Sequence, residues 1–284
     1  MRNLIINADD FGLHTNINQA IVQAHQKGCL TSTSLMPTGN AFTEAVDLSL
    51  KNPSLGIGVH LTLVAEKPLL NPAKVKSLVD KDGFFFKDYT VFIKKYVMGA
   101  IDLDEVAAEF TAQIEHIRST GIAITHLDSH QHLHVLPKIT NICLALAKQY
   151  HIKKMRIPEE SYFFSGGYQT DYKRILGKCG LTFLASLARQ KIRKNDLNGP
   201  DHFFGMLAGG HMSEAYVLRI LKALPEGTSE IMMHPGLNSK LLDLQYGWQY
   251  HWTDEYQALV SPVVLQSIKD NHVNLISFKE LLHE

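Results

Sequence analysis

The sequence predicts an α/β protein built on parallel strands with outer crossover helices. Three observations predict it. Short apolar runs alternate with amphipathic stretches in a β, α, β, α, β order from the N-terminus. Acids and histidines follow directly on several of those runs, where parallel α/β sheets place their sites. The 284 residues, 45% hydrophobic and 20% charged, have the balance of a folded chain long enough for a sizeable core.

Leu4-Ile5-Ile6 leaves no room for a helix before Asp9, so it reads as a buried strand with Asp9, Asp10 and Gly12 at its end. Ile17, Ile21 and Ala24 give an apolar face to a helix that Thr15 or Asn16 caps and Gly28 stops. A strand at 33–36 ends at Pro37 and Gly39, and a helix fits 42–51. The next strand, 56–62, sets Gly58, His60 and Thr62 on one face and Ile57, Val59 and Leu61 on the other. From about 64 to 100 the rhythm breaks at Pro68, Asn71-Pro72 and Asp82-Gly83, which marks an insertion or lid. Within it, Phe84-Phe85-Phe86 reads equally as a partner surface or as rings packed under a loop. Helices fit 89–98 and 104–119.

Then comes Thr125-His126-Leu127-Asp128-Ser129-His130-Gln131-His132-Leu133-His134. His126, Asp128, His130, His132 and His134 share one parity, so a strand would carry all five on one face. Imidazoles and a carboxylate gathered this way are ligands for first-row metals; a histidine-rich surface turn is the alternative. Pro137 opens a helix to about 150. A strand at 153–159 carries Arg156, which faces the pocket or makes a surface salt bridge. Residues 160–210 read as a helix between loops, with Arg189-Gln190-Lys191-Ile192-Arg193-Lys194 as its solvated end. A short strand at 202–205 and a helix at 213–224 follow. Ile231-Met232-Met233-His234-Pro235-Gly236 is a strand ending in a histidine and a turn. A helix at 262–271, a strand at 274–277 and a helix at 278–283 end the chain. No repeat or linker divides it, so residues 1–284 are expected to form one domain.

Composition narrows the function. Net charge is +0, which argues against nucleic-acid and anionic-membrane partners. No apolar run reaches transmembrane length, and no signal-peptide core follows Met1. Cys29, Cys143 and Cys179 are scattered and odd in number, which suits a reducing compartment. A cytoplasmic, soluble protein is expected. Asp9 and Asp10 are sequence neighbours, so both reach one site only where the chain bends; one can then bind a metal while the other stays off it as a base, and an acidic strand-end turn capping a helix is the alternative.

Asn7-Ala8-Asp9-Asp10-Phe11-Gly12, Gly58-Val59-His60-Leu61, the histidine run and Met233-His234-Pro235-Gly236 together resemble the YdjC-like carbohydrate deacetylases, in that family's order and across nearly the whole chain. The resemblance implies an incomplete (β/α) barrel related to polysaccharide deacetylases. It implies a divalent metal on Asp10, His60 and His130, with magnesium the ion commonly assigned and zinc or another transition metal open. Asp9 then matches the catalytic base and His234 the acid that assists the leaving amine. Arg156, by a looser match, orients Asp9. Asp128 would support a ligand's second nitrogen, and His132 and His134 would face sugar or lid. The implied substrate is an acetylated amino sugar or short oligosaccharide, and the implied assembly a homodimer. Tyr246, Trp248, Tyr250 and Trp252 suit sugar stacking, or equally a hairpin packed on the barrel. Two rival functions stand beside this one: a metal hydrolase of another amide or ester, and a non-catalytic sugar-binding protein.

Overall fold

The first strand, β1 (Arg2–Phe11), is buried from Leu4 onward and lies in the middle of the sheet. The computed structural model describes residues 1–281. The other strands are β2 (Ser32–Leu35), β3 (Gly56–Leu61), β4 (Ile124–Ser129), β5 (His202–Phe204), β6 (Gly227–Met233) and the two-residue β7 (Asn274–Leu275). Their order is β4-β3-β2-β1-β6-β5, with β7 beside the start of β1, and every strand pairing is parallel. Parallel neighbours need crossovers, and helices supply them. These are α1 (Thr15–Lys27), α2 (Phe42–Lys51), α3 (Tyr89–Val97), α4 (Leu103–Arg118), α5 (Pro137–Gln149), α6 (Tyr172–Lys194), α7 (Glu214–Ala223), α8 (Ser239–Tyr246), α9 (Trp252–Val260) and α10 (Pro262–Asp270). The result is an open, curled parallel sheet with outer helices, consistent with the incomplete barrel that the resemblance implies.

The expected strand at 153–159 is instead an irregular strap across the gap between the sheet's edges. Leu127 N donates to Lys154 O at 3.0 Å and Arg156 N to Leu127 O at 2.9 Å, which ties the strap to β4. Met155 N donates to Asn198 O at 2.8 Å, and Glu160 bridges to Phe203 on β5. Pro158 lacks the N–H that a continuous ladder needs, and Glu159 N turns back onto Ile157 O. The strap aims Arg156 inward, where it is fully buried. The surface salt bridge weighed for it is therefore excluded.

Other departures are local. His14, not Thr15 or Asn16, caps α1, its Nδ1 accepting from Asn16 N at 3.0 Å. The helices α8 and α9 occupy residues for which the sequence pattern predicts no helix. Of the three adjacent phenylalanines, Phe85 and Phe86 are buried and only Phe84 is exposed, so this patch is mostly packed. Beyond β7, residues 278–280 form a turn, with Glu280 N donating to Ser277 O at 3.0 Å. The rest of the helix expected at 278–283 lies outside the described residues. Phe278 fills the floor of the barrel and stacks on His126 with ring centroids 3.7 Å apart. His126 in turn needs Gly58, since a Cβ there would lie 2.4 Å from its ring.

Candidate metal and catalytic site

Asp9 and Asp10 reach one site because β1 bulges between them and β2. Ala8 pairs with Thr33 but Phe11 pairs with Leu35, so β1 spends one more residue than its neighbour. The bend falls on Asp10 itself, whose φ of 65° is left-handed. His60 comes from β3 and His130 from the turn directly after β4.

These three gather around one point. Asp10 Oδ1 lies 3.1 Å from His130 Nδ1 and 3.5 Å from His60 Nε2. Neither contact is a hydrogen bond: both Asp10 oxygens and His60 Nε2 are buried without a hydrogen-bond partner. Buried lone pairs left this way are costly. A divalent ion satisfies them together, and the spacing suits ligand atoms about 2.1 Å from a shared ion. The donor set therefore fits a divalent metal. Burial pushes the Asp10 carboxyl upward, but His130 and His60 more than offset this and hold it well below the carboxylate range.

Asp128 faces His60 across the β3–β4 register and sits 2.9 Å from its Nδ1. Nδ1–H donates to Asp128 there, which leaves the Nε2 lone pair toward Asp10. Ser34 Oγ donates to the other Asp128 oxygen at 2.7 Å. Burial would lift the Asp128 pKa, but Arg156 and His60 hold it well below the ordinary value.

Asp9 is gripped from below. Arg156 Nη1 and Nη2 donate to its two oxygens at 2.7 and 2.6 Å, and Asn7 Nδ2 donates to Oδ1 at 2.9 Å. Asp9, His60 and Asp128 form a second cluster with metal-ligand spacing. Its two carboxylates already share the Arg156 guanidinium, since Nη1 also lies 2.7 Å from Asp128 Oδ2.

His234 follows β6. Its backbone N–H is held by Glu255, whose other oxygen accepts from Met212 N at 3.0 Å. Its Nδ1 is buried without a partner, and its ring lies 5.0 Å from that of Tyr250. A cleft of about 740 Å³ opens over Asp9, His130, His132 and His234 and runs between α3 and α6, where Tyr89 and Leu181 line it.

The shared face expected for the histidine run ends at Ser129. Gln131 and His132 are left-handed, which breaks the alternation. His126 stays on the barrel floor, and burial lowers its pKa to about 3. His134 turns away, contacting Ser129 Oγ at 2.7 Å and the Arg156 carbonyl at 3.2 Å, so it faces neither sugar nor lid. His132 does line the cleft. The aromatic stretch is the loop between α8 and α9, not a hairpin. Trp248 lies 5.4 Å from the His130 ring, while Trp252 is buried.

Three acids escaped the sequence reading. Glu255 carries the His234 turn. Glu230 is buried beneath Arg156, accepting from its Nε at 2.8 Å. Glu66, half-buried in the loop after β3, has its carboxyl pushed up to about 7 by burial, with His130 pulling it down and Asp10 up.

A family model described as YdjC-like protein matches residues 3–270. A carbohydrate deacetylase of Thermoanaerobacter pseudethanolicus is 31% identical over 99% of this chain and 100% of its own. A chitooligosaccharide deacetylase of Yersinia enterocolitica is 30% identical over 98% of each chain. An Enterococcus faecalis crystal structure, named for cellobiose-phosphate cleavage, superposes with a TM-score of 0.79 at 30% identity, over 99% of this chain and 98% of that one. No helix among the described residues is long and apolar enough to cross a membrane.

Proposed function

This chain belongs to the YdjC-like protein family and is an enzyme of the carbohydrate deacetylase type, and we propose that it removes the N-acetyl group from an acetylated amino sugar or short chito-oligosaccharide. One observation carries the reading. A carboxylate with two orphaned oxygens sits between two histidines, beside a second carboxylate clamped by an arginine, under a cleft that Asp9 and His130 line.

In this reading Asp10, His60 and His130 hold a divalent ion. Such an ion polarises an acyl oxygen and acidifies water. Asp9 is the base. Its carboxylate offers about four acceptor positions, and three are taken by Arg156 and Asn7. The fourth is on Oδ2, the oxygen 3.9 Å from His60 Nε2, so it faces the cluster. There Asp9 takes the proton of the water that attacks the acetyl carbon. As the C–N bond breaks, His234 gives a proton to the amine nitrogen, and acetate and a free amino sugar leave. Trp248, half-buried beside the His130 ring, offers a face for a sugar ring.

Magnesium is the ion carried over from the resemblance, but two imidazoles with one carboxylate suit zinc or another transition ion better. A phosphorylated disaccharide is a second reading of the substrate, favoured by Lys173 and Arg174 in the lining of the cleft.

The test is acetate release from N,N′-diacetylchitobiose and its phosphorylated form, before chelation, after it, and after return of each metal. Release that chelation abolishes and one metal restores supports the reading. Asp9→Asn should keep the metal and lose turnover by at least about 100-fold, while His130→Ala should lose both. Full turnover in Asp9→Asn would remove Asp9 as the base. Light scattering tests the homodimer that the resemblance implies.

A further inference from the structure

Glu230 lies in none of the motifs and does not line the cleft, yet it is fully buried. A buried carboxylate is costly to keep unless it holds something. Its one side-chain hydrogen bond among the described residues goes to Arg156 Nε, and its other oxygen has no partner. Glu230 itself is rigidly placed. It sits within β6, in register with Ile5 of β1 on one side and Phe203 of β5 on the other. Arg156, by contrast, rises from the irregular strap that bridges the sheet's edges. Its backbone is the less regular part of the pair.

A guanidinium is planar, so fixing the Nε–H direction fixes where both Nη atoms point. Those atoms hold Asp9 at 2.7 and 2.6 Å and approach Asp128 at 2.7 Å. We infer that Glu230 is a positioning residue: by accepting from Nε it sets the plane of Arg156, and through it the free lone pair of Asp9 and the grip of Asp128 on His60. This rests on the reading of Asp9 as base.

The experiment is a double-mutant cycle with Glu230→Ala, Arg156→Ala and the pair, plus Glu230→Gln, in the metal-loaded enzyme. Each variant is assayed for kcat, KM, metal content and melting temperature. Glu230→Ala should lower kcat on the order of 10- to 100-fold, the scale of supporting partners at metal sites, with KM and metal content unchanged. Glu230→Gln keeps an acceptor for Nε and should recover most of that loss. In the Arg156→Ala background, adding Glu230→Ala should lower kcat no further. It should also raise the melting temperature there, since it removes a carboxylate left unpaired, while lowering it in the wild-type background. Equal losses of kcat in both backgrounds, or a folded Glu230→Ala enzyme with wild-type kcat, would overturn the inference. If the wild-type chain deacetylates no sugar, the functional reading falls; the melting-temperature cycle still decides this one, and additive effects there would overturn it.

Discussion

Asp128 decides which nitrogen of His60 faces the cluster, so its worth is measurable as metal affinity. Asp128→Asn keeps the shape but removes the charge that holds the His60 Nδ1 proton and balances Arg156. Metal affinity should fall about 10- to 100-fold, read by competition with a chelator. A variant with unchanged affinity would show that His60 is oriented by packing alone. At this scale much of the cluster was legible. The resemblance implies Asp10, His60 and His130 as the ligand set, and parity turns His60 and Asp128 each to the pocket side of its own strand, but only the structure shows the two opposite each other. Parity failed past Ser129, because Gln131 and His132 leave the strand for left-handed backbone. Glu230 was invisible for a different reason. Its partner lies 74 residues away in sequence, and only the curl of the sheet brings the two together.

Among the elements, the strap and the C-terminal segment do what strands do in a closed barrel. Phe278 plugs the floor, packed on His126 and within a small cluster with Ile5 and Ile276. Phe278→Ala should cost about 3–5 kcal/mol, the usual price of truncating a buried aromatic ring, measured by urea unfolding. A cost below about 1 kcal/mol would mean that the floor collapses onto the gap. The order of strands and helices was readable from periodicity through α5. Beyond it β5, α7 and β6 were also placed, but the bounds of α6 were not, and α8 and α9 were missed. There α6 runs 23 residues, with small and basic residues interrupting its apolar pattern, and the aromatic spacing from 246 to 252 imitates strand alternation across a loop and a helix start.

The molecule is neutral as a whole, but in its interior one arginine faces three carboxylates: Asp9, Asp128 and Glu230. One cation does not neutralise three anions, and Glu230 shows it. Burial, against the pull of Arg156, raises its carboxyl from the ordinary 4.5 to about 7. The folded state thus binds a proton that the unfolded chain releases at lower pH. That contribution is fully present below about pH 4.5 and is lost as pH rises through about 7. Wild-type stability should therefore fall relative to Glu230→Gln between about pH 5 and pH 8, and parallel unfolding curves across that range would contradict it.

The sheet order also has a temporal side. Asp9 and Asp10 leave the ribosome well before their flanking strand β6, which ends at Met233, and β7 pairs with Asn3 and Leu4 from position 274. Pairings this distant in sequence form late, after the loop between them has closed. A nascent chain halted before residue 227 would carry Asp10, His60 and His130 but no β6 to wall them, and His234, the acid of the proposed reaction, would not yet exist. The ligands emerge early; the site is complete only when β6 and β7 fold back onto the first strand.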